Sequence, residues 1–248
     1  SLGGRVSREA RLPGLAEWAR VRDWRIGQLQ RMANVSIYPG NRLGAQDVLD
    51  FGAAHVVTAT GARWRRDGYG RSNDLPIPGF EHPHVYTPDD LLDGAEPPGP
   101  VLIYDDDGFY LASVLAEWLR ARGREVVLLT PEDVVAPWTV NNLEYRHIQK
   151  RLRQLDVRLV TSHALLEFAG DHARIACGWT GREQRIECAS VVTVTARLPE
   201  DALYHELLAR ESAWADHGIA RVDAIGDAHA PGLIVHAVYA GHRYAREF

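Results

Sequence analysis

Val56-Val57-Thr58-Ala59-Thr60-Gly61-Ala62 reads as a buried strand that ends in a turn of small residues. With no large side chain in the way, backbone N–H groups at such a turn can approach a dinucleotide closely. Far along the chain, Ala224-Ile225-Gly226-Asp227-Ala228 has the same build, and its acid is placed to hold a sugar hydroxyl. In a doubly wound sheet ligands sit at the carboxyl ends of strands, so both stretches predict nucleotide-binding turns. Val191-Val192-Thr193-Val194-Thr195-Ala196-Arg197 echoes the first stretch and points to a second, related turn.

Between them lies a loop of opposite character. Val101-Leu102-Ile103-Tyr104 is a strand, and Gly108–Arg122 a helix stopped by Gly123. A phosphate loop here needs glycines at 105, 107 and 110, for a tight turn, backbone approach to the pyrophosphate and helix packing. The chain has Asp105, Asp107 and Tyr110 instead. Each carboxylate repels a phosphate by about 1 kcal/mol in water at 4 Å, and by more where water is excluded. Tyr110 is expected to hold the helix off the strand. NADH and NADPH are therefore not expected to bind, and the acids are expected to serve the helix N-terminus.

The 248 residues suit two domains, and 46% hydrophobic content supplies cores. A net charge of -5 argues against nucleic-acid binding, and no apolar run reaches the roughly 18 residues of a membrane span. Lys150 is the only lysine, which base composition of the gene explains as well as any physical demand. Cys177 and Cys188 flank a predicted hairpin and are placed to face each other, as reduced thiols; two alone make no zinc site.

Helical patterns cover 15–32, 45–51, 145–155, 202–214 and 233–246, and strands 35–38, 55–60, 125–130, 190–195 and 222–225. Residues 63–86 read as a surface connection, Thr87-Pro88-Asp89-Asp90 as a capped helix start, and 157–188 as a strand followed by an antiparallel meander. Glu96-Pro97-Pro98-Gly99-Pro100 is the clearest linker. The opening Leu2-Gly3-Gly4-Arg5 has no strand or cap, so the chain is expected to begin within a domain, and Ala245–Phe248 to stop within a helix.

The order of these segments resembles the two C-terminal domains of the trimethylamine, dimethylamine and histamine dehydrogenases, relatives of 2,4-dienoyl-CoA reductase. The matching pieces are Gly3-Gly4-Arg5-Val6, Leu12-Pro13-Gly14-Leu15, Thr58–Trp64, Tyr104-Asp105-Asp106-Asp107, Thr195-Ala196-Arg197, Ile225–Ala228 and Gly241-His242-Arg243. The Tyr-Asp-Asp-Asp run looks most like the histamine dehydrogenase branch. The resemblance implies an α/β fold of two glutathione-reductase-like, Rossmann-type domains, the second inserted in the first. Residues 1–97 and 198–248 would form an ADP- or FAD-type domain lacking its first βα unit, and 98–197 the inserted NAD(P)-type domain.

The first site would hold ADP, as in the amine dehydrogenases, or FAD, as in the reductases. Its remaining residues would be Gly3, Gly4, Thr60, Gly61, Ala62, Trp64, Gly226 and Asp227, with Trp64 against the adenine and no catalytic or metal-binding residue. In FAD-binding relatives the acid matching Asp227 holds a ribityl hydroxyl. FMN and a four-iron cluster would lie in an N-terminal barrel of the same parent chain. A homodimer, an electron-carrier protein and a cytoplasmic setting are implied as well.

Two rivals differ in class. An FAD-binding reductase of the dienoyl-CoA type would demand a working phosphate turn at 105–110. An apolar strand followed by Asp-x-Asp-Gly also resembles haloacid-dehalogenase-type phosphatases, with Asp105 as nucleophile, Asp107 as acid/base and Mg²⁺ nearby. That family wants Thr or Val after the glycine, where Phe109 stands, and leaves Thr58–Gly61 unused. His82-Pro83-His84 lacks a third metal ligand, while His236 falls near a helix start that would face nucleotide. Trp18, Trp24, Trp118 and Trp214 read as packing anchors.

Overall fold

The computed structural model describes residues 2–247. The strands are β1 (His55–Thr58), β2 (Ala62–Trp64), β3 (Val85–Tyr86), β4 (Val101–Asp105), β5 (Val126–Leu129) and β6 (Arg158–Val160). They continue as β7 (His163–Phe168), β8 (His172–Cys177), β9 (Glu183–Glu187), β10 (Ser190–Val194), β11 (Arg197–Pro199) and β12 (Arg221–Ala224). The helices are α1 (Gly4–Glu9), α2 (Ala19–Leu29), α3 (Ala45–Phe51), α4 (Pro88–Leu92), α5 (Leu111–Arg120), α6 (Tyr145–Gln154), α7 (Ala202–Leu208) and α8 (Ile234–Arg246). The chain is thus a mixed α/β protein, and it divides into two compact units.

The first unit comprises 1–10, 17–63 and 197–248. Its centre is the parallel pair β1 and β12, in register from His55↔Arg221 to Thr58↔Ala224. Ala45, Val48 and Leu49 of α3 meet Leu207 of α7, Ile219 and Val222 to form its core, because their apolar residues recur at helical spacing. Trp214 completes that core and donates its indole N–H to the Leu207 carbonyl (3.0 Å). Neither α2 nor α8 has a buried residue. Trp24, expected as an anchor, is 62% exposed. Residues 35–38, expected as a strand, form none: Ile37 and Tyr38 are exposed and no strand lies alongside.

The second unit comprises 11–16 and 64–196. Its five-stranded sheet runs β3-β10-β4-β5-β6 and is parallel throughout. Strands buried on both faces read as continuous apolar runs, as Val101–Tyr104 and Val126–Leu129 do. Leu102, Tyr104, Val127, Leu129 and Val191 pack with Leu165, Phe168, Ile175 and Ile186 of the β7-β8-β9 meander. Alternate side chains point to the other side, and α5 packs on β4 and β5 with Leu111, Ala112, Leu115, Ala116 and Leu119 buried.

Residues 64–97 lie in the second unit together with 98–196. Its β3 adds to the sheet beside β10, and Ile77 and Phe80, expected on a surface connection, enter the core at 5% and 4% exposure. Thr87 caps α4 as expected, its hydroxyl accepting from Asp90 N (3.3 Å). The cysteines do not face each other. The β8–β9 register sets His172 against Glu187, so Cys177 N donates to Arg182 O, while Cys188 N, at the opposite end of the hairpin, donates to Asp171 O. Burial pushes the Cys188 thiol up to about 12.

Candidate functional site

In the first unit β1 and β12 end at the same level, and Ile225 N donates to Thr58 O (3.0 Å). Both predicted turns therefore leave the carboxyl edge of one parallel pair, where α/β proteins bind ligands. Gly61 has φ +88°, which an L side chain rarely adopts, and a Cβ there would meet nothing within 4 Å, so the turn borders open space. Thr60 Oγ1 donates to the Glu200 carbonyl and Gly61 O accepts from Glu200 N (2.9 Å), which ties the turn to the returning chain. Ala62 opens β2, which pairs with β11. Gly226 begins a single 3₁₀ turn over Gly226–Ala228.

Asp227 is held on all sides. Its Oδ1 accepts from Gly232 N (2.9 Å), and its Oδ2 lies 2.9 Å from Arg197 Nη1 and 3.8 Å from Arg5 Nη1. Both guanidinium groups also donate to the Gly232 carbonyl, Arg197 at 3.0 Å and Arg5 at 3.3 Å. Arg5 is paired in turn with buried Glu9 (2.9 Å). Arg5 Nη1 is buried without a hydrogen-bond partner among the described residues. A buried donor of that kind costs free energy until something accepts from it. Two arginines at the carboxyl edge of a parallel pair thus meet at Asp227, beside the 226–227 turn.

Of the remaining predicted residues, Gly3 and Gly4 begin α1, and a Cβ on Gly3 would strike Ser7 Oγ and the Arg22 side chain. Trp64 ends β2. It lies in the second unit, 7% exposed, with its backbone N donating to Asp89 Oδ2 (2.8 Å), so its ring has little free face for an adenine. His236 Nδ1 accepts from Leu233 N (3.0 Å) and so caps the start of α8. His82 Nδ1 accepts from His84 N (3.1 Å), and no cluster of three metal-ligating side chains exists among the described residues.

The acidic loop of the second unit is ordered by its own backbone. Asp105 is fully buried, and its Oδ1 accepts from Gly108 N (3.0 Å). Its Oδ2 has no partner among the described residues. Loss of water is the main cause raising its carboxyl to about 8, with Asp107 and Asp106 adding repulsion and the Gly108 N–H opposing. A side chain so enclosed offers no face for nucleophilic attack. Asp106 turns instead to Ser72, and Tyr104 OH accepts from Asn73 Nδ2 (2.9 Å). Neither Asp105 nor Asp106 caps α5, as had been expected of the acids. Tyr110 does not hold that helix away either, since Leu111 and Ala112 directly after it are buried.

Arg5, Glu9 and Arg197 are the functional candidates that sequence reasoning passed over. Arg5 and Arg197 stand beside recognised motif residues, yet 192 positions separate them (197 minus 5), and only the fold joins them at Asp227.

No family model matches the chain. It is 33% identical to dimethylamine dehydrogenase of Hyphomicrobium sp. (strain x), over 99% of this chain and 37% of that protein. It is 27% identical to a probable N-methylproline demethylase of Rhizobium meliloti (strain 1021), over 83% of the chain and 29% of that protein. Among solved structures, histamine dehydrogenase from Rhizobium sp. 4-9 superposes with a TM-score of 0.97 at 42% identity, covering 100% of this chain and 37% of that one. The 6-hydroxypseudooxynicotine amine oxidase of Pseudomonas geniculata N1 gives 0.93 at 43% identity, over 97% and 36%. The chain therefore spans 29–37% of the length of these relatives. A 2-naphthoyl-CoA reductase at 20% identity and TM-score 0.80 shares the fold.

Proposed function

Because the chain belongs to the trimethylamine, dimethylamine and histamine dehydrogenase family, matching its C-terminal region, we propose that it is the structural nucleotide-binding and assembly part of an amine-oxidising iron–sulfur flavoprotein. In this reading the two units are glutathione-reductase-like domains, the second inserted in the first. FMN and a four-iron cluster belong to the barrel part of the parent, which passes electrons to a carrier protein. The parent is a cytoplasmic homodimer.

The nucleotide of this part is ADP. The observation that carries the reading is the shared carboxyl edge of β1 and β12, where both small-residue turns leave the sheet beside Arg5 and Arg197. The open space at Gly61 suits backbone approach, and Arg5 Nη1, buried without a hydrogen-bond partner among the described residues and 3.8 Å from Asp227, suits a diphosphate. Both Asp227 oxygens already have partners in the chain, which supports a ligand without a ribityl tail over FAD. ADP supplies no redox chemistry; bound there, it would tie α1 to the two turns. A dienoyl-CoA-reductase-like alternative needs an open phosphate turn at 105–110, where three carboxylates stand.

The test is to denature the full-length parent and identify every released non-covalent nucleotide by mass spectrometry. ADP in stoichiometric amount is the expected result. FAD would move the parent toward the reductases, NAD(P) would contradict the closed second unit, and an empty site would leave a scaffold.

A further inference from the structure

The sheet order β3-β10-β4-β5-β6 has its switch point between β4 and β10, since the chain goes one way from β4 to β5 and β6 and lays β10 on the other side. That crevice, at the carboxyl ends of the two strands, is where such a fold takes a ligand. It is spanned by the chain itself. Asp106, just past β4, receives the backbone N–H of Ser72 on Oδ2 (2.8 Å) and the Ser72 hydroxyl on Oδ1 (2.7 Å). Gly70 N donates to Asn73 O (2.9 Å), which closes residues 70–73 into a turn. A Cβ on Gly70 would fall on Asp106 Oδ2 and crowd Thr195 at the end of β10. Arg71 donates to the Asp107 carbonyl and lies over the Trp138 ring (5.4 Å from its centre), which in turn stacks on Phe109 (6.5 Å). Trp138 N donates to the Gly108 carbonyl (3.2 Å), drawing a second loop over the same turn.

We propose that residues 70–73 are a built-in strap filling the ligand crevice of the second unit, anchored by the Asp106 carboxylate through the Ser72 N–H and hydroxyl. The geometry selects the residues. A backbone N–H and a hydroxyl on one carboxylate form a cradle of the kind that phosphate-binding loops offer, here satisfied from within. A side chain at 70 would displace the Asp106 carboxylate from its place. Closure therefore rests on occupancy as well as on the charge of the acidic loop, and it holds at salt concentrations that screen simple repulsion.

Hydrogen exchange of the full-length protein tests this. In Asp106→Ala the Ser72 amide should exchange roughly tenfold faster or more, the scale of a hydrogen bond to a charged group, while β4 and β10 amides keep their protection. Sodium formate, the smallest carboxylate, should restore Ser72 protection saturably. In Gly70→Ala the same amide should be freed with no response to formate, since the carboxylate is still present and the side chain is the obstacle. Should Asp106→Ala fail to fold, Asp106→Asn together with Gly70→Ala makes the same comparison. Unchanged Ser72 exchange in the variants that fold, or a formate effect equal in wild type and Asp106→Ala, overturns the proposal.

Discussion

The two units carry the same kind of carboxyl edge and furnish it with opposite side chains. In the first, small-residue turns after β1 and β12 stand beside Arg5 and Arg197, and Gly61 borders open space. In the second, the end of β4 and the turn after it carry three aspartates in sequence, with the chain's own 70–73 segment tied to Asp106. Backbone architecture alone thus does not decide whether such an edge takes a ligand. What differs between them is the set of side chains at the edge: two arginines in the first, aspartates bonded to a turn of the chain itself in the second.

The largest effect is expected in the first unit, from Asp227→Ala. The substitution removes the partner of Arg197 and of the Gly232 N–H, leaving Arg197, 10% exposed, without its carboxylate. Breaking a fully buried pair costs about 3–5 kcal/mol; with both groups reached by some water, about 1–3 kcal/mol is expected here. Thermal melting of the full-length protein measures that loss, and nucleotide content should change with it, since Arg5 and Arg197 lose the group that orients them. If melting falls while bound nucleotide is untouched, the arginine corner is a structural pair and the two edges differ less than their charges imply.

In the second unit the corresponding test is pH. Asp105 is neutral in the folded protein up to about 8, whereas an exposed aspartate ionises near 3.8. Between those values the folded state holds a proton that the unfolded state has released, so stability falls as pH rises. The slope from this one group is at most about 1.4 kcal/mol per pH unit. Asp105→Asn should keep the acceptor for Gly108 N–H and flatten the profile between pH 4 and 8 relative to wild type. Equal slopes in chemical denaturation of the two proteins would mean that Asp105 is ionised, and that the edge is closed by charge in the simple sense.

Much of this contrast was legible in the chain. Apolar runs ending in Thr-Gly-Ala, Gly-Asp and Asp-Asp-Asp-Gly place β1, β12 and β4 and the character of each turn. What could not be read were pairings made by tertiary proximity alone. Nothing local marks Ser72 as the partner of Asp106, 34 positions away, or Arg197 as that of Asp227. The 63–86 stretch misled because Arg, Gly and Pro look solvent-facing, while Ile77 and Phe80 are enough to bury its middle. Trp64 shows the related ambiguity: an aromatic after a small-residue turn suits a core as well as a ligand face, and this one is 7% exposed.

The smallest expected effect bears on where the ligand edge ends. His236 lies in the first turn of α8, and its Nδ1 accepts the Leu233 N–H, one of the donors that a helix start leaves unsatisfied. A side chain used in this way is a cap, worth about 0.5–1 kcal/mol at an exposed helix end. His236→Ala should therefore lower the melting midpoint slightly and leave the bound nucleotide in place. His236→Asn, whose side-chain oxygen can accept the same N–H, should recover most of the loss. Were His236 a ligand contact, nucleotide would be lost from both variants while the melting difference between them stayed small. The first outcome ends the ligand edge at Gly232 with Arg5, Arg197 and Asp227; the second extends it onto α8, which has no buried residue of its own.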